Sequence, residues 1–451
     1  MASVHLHVLH HGMWGNSGHL GEAAKILQQQ FPAPAAGSED PEVEIYLCES
    51  NHEEGTYDGI DWGGERAVDE IADKVKAIEE SGRRVTRFSI TGYSLGGLVA
   101  RYIIGVLRYR GFFDKVTPVN FTTIASPHIG LLRYSTVFSS VAHNLGPVLL
   151  GRTGSQFYAK DSYADTGKPI VEVMAEKNGL FYKALAAFQR VGIYANGIHD
   201  ITVPYVTAAF ESYDPFCTYD GKNLDLVFDD TYEHLLKSYR IKDKEEMALI
   251  SAAPRPKQSL GAWLASKKPA PIPGPFREWK FPFHIMWIML LPLLIPVVLV
   301  AVPTRFALSS RSSHARVKLL EGDEESMARR LIAAWARLEG GLEDAVEEIV
   351  EEALPQSQST SQSAPAPGRA WCAVTNDDGT PAAPKDQPQL TPVQHRIIAN
   401  LNALPNVTKH VAFIHPTRNS HAIIVCRSPD RASEHKKGLG ILRAWAAAMV
   451  L

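Results

Sequence analysis

The pentapeptide GYSLG at positions 92–96 lies between a β-prone run and an apolar run that predicts a helix ending near Arg110. A strand, a tight turn and a helix in this order can hold the central serine, Ser94, in a strained conformation with its hydroxyl accessible. Gly92 and Gly96 leave room for the strand and the helix to pass closely. The alternative is an ordinary glycine turn. We expect Ser94 to be a nucleophile around which the chain is organised.

The composition is that of a globular protein, with 45% hydrophobic and 21% charged residues over 451 positions. A formal net charge of −3, with both signs spread along the chain, gives no indication of a nucleic-acid partner. The four cysteines have no metal-binding spacing, and no cofactor motif occurs, so we expect neither a metal nor an organic cofactor. The first residues lack the pattern of an export signal, and none is expected.

Strand-like and helix-like segments alternate before Ser94. The run VHLHVL at 4–9 and the run VEIYLCES at 43–50 predict strands, whereas residues 18–31 and 61–81 have helical spacing. This alternation predicts an α/β fold with a mainly parallel sheet covered by helices on both faces.

The first predicted strand breaks into His10-His11-Gly12-Met13. A backbone amide at such a break can stabilise the negative charge that develops on a carbonyl oxygen during acyl transfer, together with the amide that follows the nucleophile. We therefore expect Met13 and Leu95 to supply an oxyanion hole. For the imidazoles of His10 and His11 the alternative is a polar strand end at the surface, because the oxyanion argument uses only backbone amides.

A carboxylate that orients the catalytic base belongs in a loop after a core strand, and Asp200 follows the strand in VGIYANGIHD. The alternative is an aspartate that caps a turn. The weaker competitors are Asp214, Asp229 and Asp230.

The base belongs after the last core strand, and His421 in NSHAIIV stands at that position. His415 is the nearest competitor, and His410 lies inside a strand. His128 follows the strand FTTIAS too early for the order of serine, acid and histidine, so we expect it to shape the strand end.

Three parts are predicted. Residues 1–250 form a core with an insertion at about 131–168, which is either a lid or a surface excursion. Residues 251–390 hold a Pro- and Lys-rich linker, an apolar segment at 281–303, an amphipathic helix at 326–354 and low-complexity stretches. Residues 391–451 complete the core with the base and a terminal helix.

The apolar segment at 281–303 is long enough to enter a membrane, although a buried core helix is the alternative. It separates Ser94 from His421, so a single crossing would place the two on opposite sides. Pro292 and Pro296 can break the helix. We therefore expect a hairpin anchor on the cytoplasmic face of the endoplasmic reticulum or on a lipid droplet.

The segments HHGMWGN, GYSLGGLVARY, FTTIASPHIG, YANGIHDITVPYVTA and NSHAIIV resemble the putative serine esterase, or lipase-like, family of eukaryotic α/β-hydrolases. The resemblance covers about residues 1–250 and 391–426 and implies an α/β-hydrolase fold and a lipid ester as substrate.

Together the motifs predict a serine hydrolase of lipase or phospholipase type. It would use Ser94, His421 and Asp200 as the triad and pass through an acyl-enzyme. The alternatives are a lipid acyltransferase with the same triad and a non-catalytic scaffold at a membrane. The oligomeric state is not indicated.

Overall fold

The computed structural model describes residues 2–35, 38, 40–242, 283–320 and 387–451. The described strands form an eight-stranded sheet in the order β2-β1-β3-β4-β5-β8-β7-β6. All neighbours from β2 to β8 in this order are parallel, whereas β7 is antiparallel to both β8 and β6. The mainly parallel α/β sheet expected from the sequence is confirmed. The strands are β1 (Ala2–His10), β2 (Glu42–Leu47), β3 (Arg83–Tyr93), β4 (Thr117–Ile124), β5 (Arg190–Asn196), β6 (Leu224–Phe228), β7 (Leu235–Ile241) and β8 (Val407–Ala412).

The described α-helices include long ones that pack on the sheet and short ones in the connections. They are α1 (Gly21–Gln30), α2 (Ile60–Glu80), α3 (Leu95–Tyr109), α4 (Val137–Leu149), α5 (Gly151–Phe157), α6 (Ile170–Val173), α7 (Leu180–Ala186), α8 (Tyr205–Ala208), α9 (Phe283–Leu320), α10 (Pro392–Asn402) and α11 (Leu439–Ala447). A capping box on Thr391 begins α10.

Helices cover both faces because successive strand residues point to opposite sides. Val8 belongs to the core cluster that also contains residues of α2, α3 and α7. The next residue, Leu9, belongs to a second cluster with residues of α1 and α11. Burial on both faces explains why β1 is buried from residue 4 to residue 10.

The chain leaves β1 for β2 on one side, whereas β3 lies on the other side of β1 and leads to β4. The carboxyl ends of β1 and β3 therefore flank a switch point, where α/β sheets open a crevice for ligands. Gly12 and Ser94 both lie at this edge.

The hairpin of β6 and β7 was not anticipated. It extends the sheet beyond β8 at an antiparallel edge, where apolar residues such as Val227 and Phe228 are exposed and do not alternate regularly with polar residues.

The predicted insertion at 131–168 contains α4 and α5. Arg152 of α5 pairs with the buried Asp61 of α2 at 2.6 Å, which attaches the insertion to the core. Its action as a lid stays a prediction.

The predicted membrane segment at 281–303 falls in the first part of α9, except for residues 281–282, which lie outside the described residues. Within the described ranges, no helix has both the length and the apolar character that a membrane crossing requires. From residue 283 onward this segment does not form the expected hairpin, because α9 runs from Phe283 to Leu320 through Pro292 and Pro296. A proline removes one helical hydrogen bond, and the intact turns on either side can carry the helix past it. The predicted helix at 326–354 and the low-complexity stretches lie outside the described residues.

Candidate active site

The turn that carries Ser94 has the expected form. β3 ends at Tyr93 and α3 begins at Leu95, which leaves Ser94 between them with φ of 56° and ψ of −125°. A positive φ is strained for any residue with a Cβ, and such strain is typical of functional sites. A Cβ on Gly92 would overlap the carbonyl of Gly96, so the crossing of strand and helix requires glycine.

The three predicted triad side chains lie together. The Nε2 atom of His421 is 3.0 Å from the Ser94 Oγ, and its Nδ1 is 2.9 Å from the Asp200 Oδ2. The Asp200 Oδ1 accepts the amides of Thr202 and Val203 at 3.0 and 2.8 Å. These bonds fix the carboxylate, which favours the histidine tautomer that has its proton on Nδ1. Nε2 is then free to accept the hydroxyl proton of Ser94.

The two predicted oxyanion donors flank Ser94. Gly12 lies so close to Ser94 that a Cβ on the glycine would be 2.7 Å from the serine Cβ, and Met13 follows directly. Leu95 is the first residue of α3, where the amide has no partner within the helix. In the described part of the chain neither amide has an acceptor. Both can therefore donate to a substrate oxygen, and the positive end of the α3 dipole adds to the effect.

The competing histidines have other partners. The Nε2 of His128 is 2.8 Å from the Oγ1 of Thr123, and burial lowers the pKa of His128 well below its usual value. His415 stacks on His199, with 3.1 Å between their nearest ring nitrogens. His410 stacks on Tyr194 with ring centroids 4.5 Å apart.

The competing acids also lie elsewhere. Asp214 accepts the amide of Phe216 at 2.8 Å, and burial raises its pKa to about 6. Asp229 accepts two backbone amides of its own turn, which is the capping role considered for Asp200. Asp230 is an exposed partner of Lys237 at 3.4 Å.

Two supporting residues were missed by sequence reasoning. The Tyr93 hydroxyl donates to the carbonyl of His421 at 2.9 Å, and its ring lies 5.1 Å from the imidazole. The Asn196 Nδ2 donates to the Asp200 Oδ2 at 2.8 Å. The position of Tyr93 directly before the nucleophile was an available signal, because that side chain must lie beside the site. An asparagine that ends a strand carries no comparable signal.

In the ranges described, no group of three or more His, Cys, Asp or Glu side chains has an arrangement that could hold a metal ion.

Comparisons with known proteins point to one family. Residues 1–214 match the model described as "Putative serine esterase (DUF676)". Putative lipase ROG1 of Saccharomyces cerevisiae is 31% identical over 215 residues, which is 46% of this chain and 28% of that protein. A putative lipase of Schizosaccharomyces pombe is 27% identical over 211 residues, which is 46% of this chain and 26% of that protein. The matched part of the chain thus spans about a quarter of the length of these two relatives.

Solved structures show weaker similarity. A putative cell surface hydrolase from Lactobacillus plantarum has a TM-score of 0.26 at 15% identity, covering 46% of this chain and 75% of that one. Phospholipase PlaB from Legionella pneumophila has a TM-score of 0.27 at 16% identity, covering 46% of this chain and 41% of that one. The family model and the curated relatives together confirm that the chain, over residues 1–214, is similar to the putative serine esterase family.

Proposed function

We propose that the protein hydrolyses acyl esters of lipids with Ser94 as nucleophile, His421 as base and Asp200 as the orienting acid. The observation that carries this proposal is the pair of contacts made by His421, 3.0 Å to the Ser94 Oγ and 2.9 Å to the Asp200 Oδ2. A nucleophile in reach of a base, which a third group orients in turn, is the arrangement that covalent acyl transfer needs.

The first half of the reaction forms the acyl-enzyme. His421 Nε2 takes the Ser94 proton while Oγ bonds to the ester carbonyl carbon, and the carbonyl oxygen becomes an oxyanion. The Met13 and Leu95 amides donate to this oxyanion, and Asp200 stabilises the imidazolium. The tetrahedral intermediate collapses as the alcohol oxygen leaves with the proton from Nε2. The acyl group is then bound to Ser94.

The second half repeats these steps with water. His421 takes a proton from the water, and the resulting hydroxide attacks the acyl carbon. The fatty acid leaves as the proton returns to the Ser94 Oγ. A lipid alcohol in place of water would complete an acyl transfer with the same residues. Product analysis distinguishes a free fatty acid from a new ester.

The lipid substrate and the location are also proposals. The names of the yeast relatives support a lipid ester. Association with a membrane or droplet surface is supported by exposed apolar side chains on α9, where Val297 and Val300 are 60% and 68% exposed. Protease protection of tags on either side of α9 in sealed microsomes tests whether both ends lie on one face.

Reaction with a fluorophosphonate probe and hydrolysis of p-nitrophenyl butyrate test the chemistry. Ser94→Ala should lose both activities and keep its thermal unfolding temperature, whereas the exposed Ser312→Ala should match the wild type. Asp200→Asn should lower kcat by about 10⁴-fold, because the imidazole loses its productive tautomer. Substantial ester turnover by Ser94→Ala would overturn the assignment, and a wild-type protein inert to the probe would favour the scaffold.

A further inference from the structure

The carboxyl-terminal half of α9 is packed against the hydrolase core. Arg316 donates to the Asp58 carboxylate through Nη2 at 2.8 Å and through Nε at 3.3 Å, and that aspartate side chain is 1% exposed. The Ser310 hydroxyl donates to the carbonyl of Val148 at 2.9 Å. A buried carboxylate needs cationic partners, so these contacts hold this part of the helix in place.

A groove of about 500 Å³ separates α9 from the loops that follow β1 and β2. Trp14 and Tyr57 form one wall, and Val302 and Phe306 form the other. The Phe306 and Trp14 rings lie with centroids 5.8 Å apart. Helix residues spaced four apart share a face, which explains why the α9 side chains converge there. The polar residues that also line the groove are Glu53, Glu54, Arg305 and Ser309.

Trp14 connects the groove with the segment that contacts Ser94. Trp14 directly follows Met13, one of the two proposed oxyanion donors, and is two residues from Gly12, which touches Ser94. Consecutive Cα atoms are about 3.8 Å apart, so the Trp14 Cα lies within about 8 Å of the Gly12 Cα. Trp14 is itself held, because its Nε1 donates to the Tyr57 hydroxyl at 2.8 Å and its amide to the Thr56 Oγ1 at 3.2 Å.

We infer that this groove binds the acyl chain of the ester. The inference rests on the proposed function, in which the ester carbonyl lies between the Ser94 Oγ and the Met13 amide. The acyl chain must extend away from that point, and the apolar side chains of Trp14, Val302 and Phe306 line the groove together with the charged side chains of Glu53, Glu54 and Arg305. A volume of about 500 Å³ lies in the range of ligand pockets. Val302 and Phe306 lie outside residues 1–214, so this wall is a feature of the chain that the family match does not include.

Chain-length selectivity tests the inference. Val302→Trp should fill the groove and lower kcat/KM for p-nitrophenyl palmitate, relative to the value for p-nitrophenyl butyrate, at least ten-fold. Leu308→Trp is the matched control, because Leu308 is 58% exposed on the same helix and does not line the groove. This control should change neither value. Equal selectivity in Val302→Trp and the wild type would overturn the inference.

A binding measurement separates this inference from the proposed function. Ser94→Ala should bind a fluorescent long-chain fatty acid, and adding Val302→Trp should weaken that binding at least ten-fold, with Leu308→Trp again as control. If the wild type cleaved no ester, the proposed function would fail, and the binding assay would still decide the occupant of the groove. Binding that is insensitive to Val302→Trp would overturn the inference even in an active enzyme.

Discussion

Acidification from pH 7.5 to pH 5 should destabilise the protein through the histidines of β1. His5, His7 and His10 are 2%, 2% and 1% exposed. His5 and His7 have hydroxyl partners on β3, since the Nε2 atoms lie 2.7 Å from the Ser89 Oγ and 3.0 Å from the Thr91 Oγ1. Each imidazole is thus enclosed between the sheet and its covering helices, where a positive charge is unfavourable.

Burial is the main cause of the low pKa values in the folded state. It lowers the pKa of His5 to about 4 and those of His7 and His10 to about 3. The ordinary value in an unfolded chain is about 6.5. The folded pKa of each histidine lies below its unfolded pKa. The part of the free energy of unfolding that depends on these histidines being neutral is therefore fully present above about pH 6.5. It is lost as the pH falls towards about 4 and the unfolded chain takes up protons.

The size of the effect follows from these values. At pH 5 the unfolded chain binds nearly one more proton than the folded chain at each of the three sites, which lowers the free energy of unfolding by about 2 kcal/mol per site. The sum of about 6 kcal/mol is comparable with the whole stability of a typical domain, about 5–15 kcal/mol. Unfolding should therefore become measurable between about pH 6 and pH 5.

Urea unfolding at a series of pH values, followed by circular dichroism, provides the assay. Near pH 5.5 each histidine should contribute a slope of about 1.2 kcal/mol per pH unit, so His7→Gln should reduce the slope by about that amount whatever its effect at pH 7.5. His52→Gln is the control, because His52 is exposed. An unchanged slope in His7→Gln would refute the reasoning.

Three further substitutions test the supporting structure. Asn196→Ala removes a donor to the Asp200 carboxylate and should lower kcat about 10- to 100-fold with little change in KM, since a hydrogen bond to a charge contributes about 1.5–3 kcal/mol. Gly12→Ala places a methyl group 2.7 Å from the Ser94 Cβ and should abolish labelling by a fluorophosphonate while the fold is retained. Arg316→Ala should detach α9 and raise its cleavage rate in limited proteolysis.

Each of these substitutions has a control. Asn402→Ala removes an asparagine that donates to the backbone carbonyls of Phe210 and Ile398 and not to a triad residue, and its kcat should be unchanged. Gly21→Ala adds a methyl group where nothing lies within 4 Å, and labelling should persist. Arg311→Ala removes an exposed cation on α9, and proteolysis should match the wild type. A result in which the control and the test variant behave alike would contradict the corresponding prediction.

The parts of the site that depend on a few adjacent residues were predictable. The β-prone run before Ser94, the glycines beside it and the apolar run after it predicted a strand, a turn and a helix. The position of Met13 follows from the break after β1. The alternation of apolar runs also predicted the parallel sheet, because strands buried on both faces and amphipathic helices have distinct periods.

The remaining features depend on contacts between distant residues. Asp200 and His421 were proposed from chain order, but 221 positions separate them, and only the pairing of β5 with β8 brings their loops together. The same folding places Asn196 against Asp200 and Phe306 against Trp14. A local sequence pattern predicts the conformation that the backbone prefers over a few residues. Which residue a polar or aromatic side chain contacts is decided by packing across the sheet. The sequence therefore determined the turn that carries Ser94 and the fold class, and the tertiary structure alone decided which side chains contact Asp200 and His421 and how α9 joins the core.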